Sequence, residues 1–250
     1  LCLDNPRLYK PGFRAAVKSG LASIGYSIRR HALLEKHTSV LVGVSGGIDS
    51  LVLLSLLHAY NKTFQQSWHI TAIHVDPMFP AWNSAALKTS LSTAGMQFVA
   101  VRTNIYKHTK TVQDKCFSCS RERRARILQK AEAMNIFTVA LGHHQEDVVE
   151  TLLLNMLYTG RSCTLLPRQP VLHGRCTFVR PLYYLSKKEI RDMASAFGLK
   201  AYGNVCPYVK NSRRETIRGL LRKLKKQNPD VYTNIFRSIF NIKKTYMPSC

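Results

Sequence analysis

Residues 39–44, Ser-Val-Leu-Val-Gly-Val, form a continuous apolar run that stops at Ser45-Gly46-Gly47 and gives way to a segment of helical composition at 49–59. An apolar run without polar alternation reads as a strand covered on both faces, the habit of a parallel sheet between two helical layers. The same alternation continues downstream. Strands are expected at 70–75, 97–101 and 136–141, and helices at 82–94, 120–134 and 146–158. This βαβα order predicts an α/β fold, a parallel sheet flanked by helices. A basic amphipathic helix at 12–30 precedes it, and helices at 187–197 and 212–226 follow an irregular stretch at 159–180. The chain has 250 residues, enough to bury roughly 70–75% of its unfolded surface without disulfides.

Charge says more about partners than about fold. Lys and Arg number 37 against 14 acids, a formal net charge of +23, so a polyanion is the natural partner and nucleic acid is the favoured one. The excess persists to the end: residues 207–244 carry eleven basic residues and two acids. No run of 18 apolar residues exists, which excludes a membrane-spanning helix. The first thirty residues lack the apolar core of a secretory leader, and the leading Leu1 predicts that the native chain begins upstream. Seven cysteines, an odd and sparse set, do not make a disulfide framework and point to a reducing cytoplasm.

The strongest chemical signal is Ser45-Gly46-Gly47-Ile48-Asp49-Ser50, between the first strand and a helix. Two glycines let the backbone turn sharply and present its N–H groups to an oxyanion at a helix N-terminus. Ser45 and Ser50 supply hydroxyls. Asp49 would repel bare phosphate, so its place there fits a bridging Mg²⁺; the plainer reading is a helix-capping aspartate. The spacing is not that of the Walker A loop. Ser-Gly-Gly-x-Asp-Ser after a first strand resembles the PP-loop of the N-type ATP pyrophosphatases, which cleave ATP between its α and β phosphates. That resemblance implies the adenine nucleotide alpha hydrolase-like fold. It also implies ATP binding by Ser45, Gly46, Gly47, Asp49 and Ser50, by His74 and Asp76 at the second strand's end, and by Gly142 and His143 of Gly142-His143-His144-Gln145-Glu146-Asp147.

Cys116-Phe117-Ser118-Cys119 is a lone Cys-x-x-Cys, open to reading as half a zinc site, a redox pair or a cluster site. It precedes Ser120-Arg121-Glu122-Arg123-Arg124, and positive surroundings favour thiolates. Cys206, in Asn204-Val205-Cys206-Pro207-Tyr208, is the best third ligand. Cys-x-x-Cys with its basic helix, then Gly-His-His-x-x-Asp, Arg180-Pro181-Leu182 and Cys-Pro-Tyr together resemble the TtcA family, the tRNA 2-thiocytidine synthetases, from about residue 39 to 248. The resemblance implies a 4Fe–4S cluster on Cys116, Cys119 and Cys206, with one iron free of protein ligand. It implies catalytic Asp49, Asp147 and Arg124, with Mg²⁺ near Asp49 and Asp147. The implied reaction is adenylation of a base oxygen followed by sulfur transfer, most simply 2-thiolation of the anticodon-loop cytidine at position 32. A sulfur donor such as a cysteine desulfurase and a homodimer come with it.

The chain departs from that family at Ile48, where a lysine is common, so any role of that cation passes to Arg123 or Arg124 or is absent. The expected division is a basic helical segment at 1–36, the PP-loop domain at 37–205 and a basic tRNA-contacting segment at 206–250. On helix 212–226, Ile217, Leu220, Leu221 and Leu224 fall on one face and Arg218, Arg222 and Lys225 on the other, for tRNA or merely for solvent. Cys163 and Cys176 read as structural thiols. Two other functions fit the same features: a PP-loop ligase of the 2-thiouridine or lysidine type, and a zinc-stabilised tRNA-binding module without catalysis.

Overall fold

The computed structural model describes residues 11–80, 82–202, 206–208 and 212–246; Cys2, Cys250 and the Asn204-Val205 pair of the expected motif lie outside them. Helices are α1 (Pro11–His31), α2 (Ile48–Phe64), α3 (Ala85–Thr93), α4 (Ile105–Thr111), α5 (Lys115–Ala133), α6 (Gln145–Thr159), α7 (Lys187–Ala196), α8 (Arg213–Gln227) and α9 (Val231–Ser238). Strands are β1 (Ser39–Gly43), β2 (His69–Asp76), β3 (Gln97–Arg102), β4 (Thr138–Ala140), β5 (Arg168–Val171) and β6 (Cys176–Val179). The chain forms two compact units. One comprises Leu1–His144 with Leu166–Val209, the other Gln145–Leu165 with Lys210–Cys250.

The first unit holds a six-stranded sheet of order β3-β2-β1-β4-β6-β5. Its pairs are parallel except the antiparallel β5–β6 edge. The parallel sheet read from the apolar runs is therefore present. Alternation along each strand feeds two cores. Val40, Val42, Val44, Ile70 and Ala72 meet α1, α2, α3 and α7 on one face, whereas Leu41, Ile73, Val75 and Val139 meet α4 and α5 on the other. Strand order reverses direction between β2-β1 and β4, which makes the β1/β4 carboxyl ends the topological switch point where such sheets bind ligands. The N-terminal helix α1 packs on α2 and α7. A Cβ on its Gly20 would lie 2.7 Å from Met193 Sδ and 2.9 Å from Leu56 Cδ2, so the helix seats where it does because position 20 has no side chain.

Four features differ from expectation. The stretch 159–180 is not irregular throughout, for it contains β5 and β6. Two helices, α4 and α9, were not foreseen. The basic helix expected from 120 begins at Lys115 instead, capped by Asp114, whose side chain accepts a hydrogen bond from Phe117 N. The Cys-x-x-Cys pair is thereby within the first five residues of the helix rather than in a preceding loop.

In the second unit α6, α8 and α9 pack on one another, and Ile217 and Leu221 are buried while Leu220 and Leu224 are not. The basic face of α8 is not simply solvated. Arg218 Nε donates to Glu150 Oε1 at 2.7 Å, and Arg214 Nε stands 3.7 Å from Glu150 Oε2. Glu150 is 3% exposed, and burial pushes its carboxyl pKa up, opposed by Arg218. Arg218→Met should therefore cost on the order of 3 kcal/mol by stranding a buried carboxylate, with much of the loss recovered in Arg218→Met/Glu150→Leu. Arg222 pairs with Glu215 at the surface, and Arg222→Ala should stay within about 0.5 kcal/mol. Denaturant unfolding of the three variants checks this.

Candidate active site

The loop after β1 is built to leave backbone donors open. Gly46 holds φ +85°, and a Cβ there would stand 2.8 Å from the ring of Trp82; only glycine satisfies both demands. Its carbonyl accepts from Tyr202 N at 2.9 Å. Gly47 is the N-cap of α2 and brings no side-chain cap to that helix, so the positive end of α2 is offered to a ligand rather than to its own sequence. The hydroxyls are pre-set: Ser50 Oγ donates to Gly47 O at 2.8 Å and accepts from Ser45 N at 3.1 Å, and the two serine oxygens lie 3.3 Å apart.

The segment after β4 closes on this loop. A Cβ at Gly142 would fall 3.1 Å from both Asp49 C and Ser50 N, so the two turns touch backbone to backbone. His144, 4% exposed, brings Nε2 to 3.8 Å from Asp49 Oδ1. His143 Nδ1 accepts from Arg180 Nε at 3.4 Å, which leaves the proton of a neutral His143 on Nε2. Arg180 itself is 1% exposed and also donates to Leu166 O and to Gln169 Oε1, tying β5 to the turn after β4.

Sequence reasoning missed the cation at the loop. Lys187, the first residue of α7, places Nζ in hydrogen-bond contact with Asp49 Oδ1, across a separation of 138 residues. No local pattern marks such a partner. Arg123 and Arg124, the cations proposed from the sequence for that duty, lie elsewhere, on α5.

His74 and Asp76 turn out to be inward-facing. His74 is 2% exposed; its Nδ1 donates to Val44 O at 2.7 Å and its Nε2 accepts from Trp82 Nε1 at 3.1 Å, and burial pushes its pKa down. A neutral ring with both nitrogens engaged thus holds Trp82 over Gly46. Asp76 Oδ1 accepts from Met78 N at 2.8 Å, closing the turn after β2. Asp147 opens α6 in the second unit, where Arg214 stands 3.8 Å away.

Cys116, Cys119 and Arg123 recur at i, i+3 and i+7 on α5, one helical face; Arg124 is one residue round from it. Cys119 is the thiol whose surroundings are most telling. Burial pushes its pKa up, Arg123 opposes, and the charges of Cys206, Cys116 and Glu122 add to the rise. The expectation that positive surroundings would make it a ready thiolate is therefore reversed by burial. The same facts show that Cys119 has both other cysteines as electrostatic neighbours. Arg123 lies over the Phe79 ring at 6.0 Å, with Nε buried and without a hydrogen-bond partner. Among the described residues no three His, Cys, Asp or Glu side chains converge on a point that would hold a single metal ion. Cys163 and Cys176 are free thiols, exposed and buried respectively.

A family model described as a PP-loop domain matches residues 22–225. The chain belongs to the PP-loop family. A tRNA-cytidine(32) 2-sulfurtransferase of Bdellovibrio bacteriovorus is 34% identical to this PP-loop chain over 86% of it and 85% of the relative. The Cupriavidus necator protein of the same name is 30% identical over 89% and 73%. At that similarity the chain belongs, within the PP-loop proteins, to the tRNA-cytidine(32) 2-sulfurtransferase family. The U34-tRNA thiolase NcsA of Methanococcus maripaludis, solved with its [4Fe-4S] cluster, shares the fold with a TM-score of 0.72 at 20% identity, over 95% of this chain and 82% of that one. Among the described residues no helix is long and apolar enough to cross a membrane.

Gly142→Ala should push the turn after β4 off the first turn of α2. Overpacking of this kind costs about 1–3 kcal/mol, and on ATP binding that corresponds to about tenfold weaker affinity or more. A fluorescent-nucleotide titration against the parent chain measures it; unchanged affinity would mean that the backbone contact is incidental.

Proposed function

We propose that this chain is an ATP-dependent tRNA sulfurtransferase that converts the cytidine at position 32 into 2-thiocytidine. The observation that carries the reading is that one compact unit holds both the PP-loop at its switch point and the Cys116, Cys119, Cys206 neighbourhood. The relatives' names supply the base and the position.

Adenylation comes first. The base O2 attacks the α-phosphorus of ATP, an O–P bond forms, and the bond to the β-phosphate breaks with its electron pair leaving on pyrophosphate. The amides at the start of α2 and the hydroxyls of Ser45 and Ser50 receive phosphate oxygens. Asp49, about one-third exposed, would hold a Mg²⁺ ion, which would supply positive charge as pyrophosphate departs. The adenylated carbon is then open to a sulfur nucleophile, and AMP is the leaving group. To reach the pocket, the nucleotide must leave its stack.

The thiols fit an iron–sulfur cluster better than a single metal ion. Cysteines on a cubane bind separate irons, so they need not converge on one point, and the orphaned Nε of Arg123 beside them suits an anionic group. Bound there, a 4Fe–4S cluster would offer sulfur at the iron that no cysteine ligates. Cys116, Cys119 and Cys206 would hold it; Arg123 would balance its charge. The sulfur comes from a donor such as a cysteine desulfurase, with an external thiol reducing its persulfide sulfur to sulfide, and the basic 206–250 segment takes tRNA backbone. For that contact the surface cations of α8 count, Arg218 being committed to Glu150.

Protein purified without oxygen should carry iron and acid-labile sulfide in near-equal amounts and absorb as a cluster. Ala at Cys116, Cys119 or Cys206 should lose iron and thiolation together, whereas Cys163→Ala and Cys176→Ala keep both. Asp49→Ala should keep the iron and lose AMP formation. Stoichiometric zinc without pyrophosphate release would favour a binding module instead, and an iron-free active enzyme would favour a ligase of the lysidine type.

A further inference from the structure

We infer that Lys187 contacts the phosphates of the bound nucleotide and is a catalytic residue of adenylation. The inference rests on the reading above that ATP occupies the loop after β1. That loop carries hydroxyls, amides and a carboxylate but no cation of its own, because position 48 is isoleucine packed against the core. A departing pyrophosphate gains negative charge, and a preorganised cation aimed at it is the largest single contribution a protein can make.

Lys187 is placed for that duty. Its Nζ sits on Asp49 Oδ1 in the first turn of α2, and both side chains stay about one-third exposed, at 33% and 31%, so a ligand can reach them. The lysine is anchored at its base. Ser186 caps α7 by accepting from Glu189 N, with Glu189 returning to Ser186 N in a capping box, and Ile190, Met193 and Ala194 bury the helix against the core shared with α2. A lysine at the first position of a helix stands at the wrong end of its dipole. Such a placement is unfavourable for α7 alone and makes sense for what Nζ reaches. Without nucleotide, Lys187 neutralises Asp49 next to the buried His144. With nucleotide, the three mobile N–H donors of the ammonium pass to phosphate oxygens, and Asp49 is released to its cation. No bond to the lysine forms or breaks: its charge offsets the electron pair that leaves on pyrophosphate.

Two measurements decide it. A pyridoxal-bearing adenosine polyphosphate followed by borohydride reduction covalently marks lysines that reach the phosphates. Peptide mapping should find the label on Lys187, blocked by excess ATP. In turnover with tRNA, Lys187→Met should lower kcat for AMP formation by about 10²–10³-fold, with a smaller change in KM for ATP, an unchanged melting temperature and an unchanged iron content. Lys187→Arg should retain measurable turnover, and Lys188→Met, at the exposed next position, should match the parent. Label confined to other lysines, or a kcat for Lys187→Met within threefold of the parent, overturns the inference. Should the parent chain release no AMP with tRNA, the functional reading falls instead, and the labelling still decides whether Lys187 reaches phosphate.

Discussion

The site depends on a backbone contact. The turn after β4 lies so close to the first turn of α2 that a single methyl group at Gly142 would meet Asp49 C and Ser50 N at 3.1 Å. β1 and β4 are paired in register from Val40–Thr138 to Val42–Ala140, and the loops leaving them have no slack. That closeness brings His144 to Asp49, beside a helix end that no side chain caps. It also explains why the nearby buried cation, Arg180, is spent on carbonyls and on His143: the segments that meet here are short, and their polar groups must be satisfied from within.

Around that contact the molecule separates two kinds of charge. Lys187 and Asp49 are partly exposed and paired with each other, so a polyphosphate can take the place of Asp49 on Lys187. In the second unit Glu150 is buried and is paired with the half-exposed Arg214 and Arg218, and that pairing supports the helices rather than a ligand. A net charge of +23 therefore overstates the surface available to RNA. Part of it is structural, as Arg218 illustrates.

How much of this could be read from the sequence follows from the range of each interaction. The first strand, its glycine turn and the helix after it were legible because all the determinants lie within a dozen residues, and the unbroken apolar run of Val40, Leu41 and Val42 needs no partner to be recognised. β5 was invisible: Arg168-Gln169-Pro170-Val171 does not alternate, and its proline is tolerated only because the strand is at an edge. The start of α5 was misplaced because the Asp114 cap lies upstream of a Cys-Phe-Ser-Cys sequence with little helical character. The partnership of Lys187 with Asp49 has no sequence signal at all, being made by a fold that brings α7 against α2. The inward-facing rings of His74 and Trp82 were likewise hidden, since a histidine at a strand end looks the same whether its nitrogens meet ligand or protein.

The central claim is that this unit activates a tRNA base with ATP so that sulfur can replace oxygen. It is tested most directly by nucleoside mass spectrometry. Unmodified tRNA would be incubated anaerobically with the iron-loaded chain, Mg²⁺, a sulfide source and ATP labelled with oxygen-18 only at its α-phosphate non-bridging positions, using tRNA that carries a distinct oxygen isotope at cytidine O2. The account predicts 2-thiocytidine at position 32 and transfer of the base oxygen into AMP, one for one. Thiolated tRNA whose displaced oxygen does not appear in AMP, or AMP formed with no thiolated base, would contradict it.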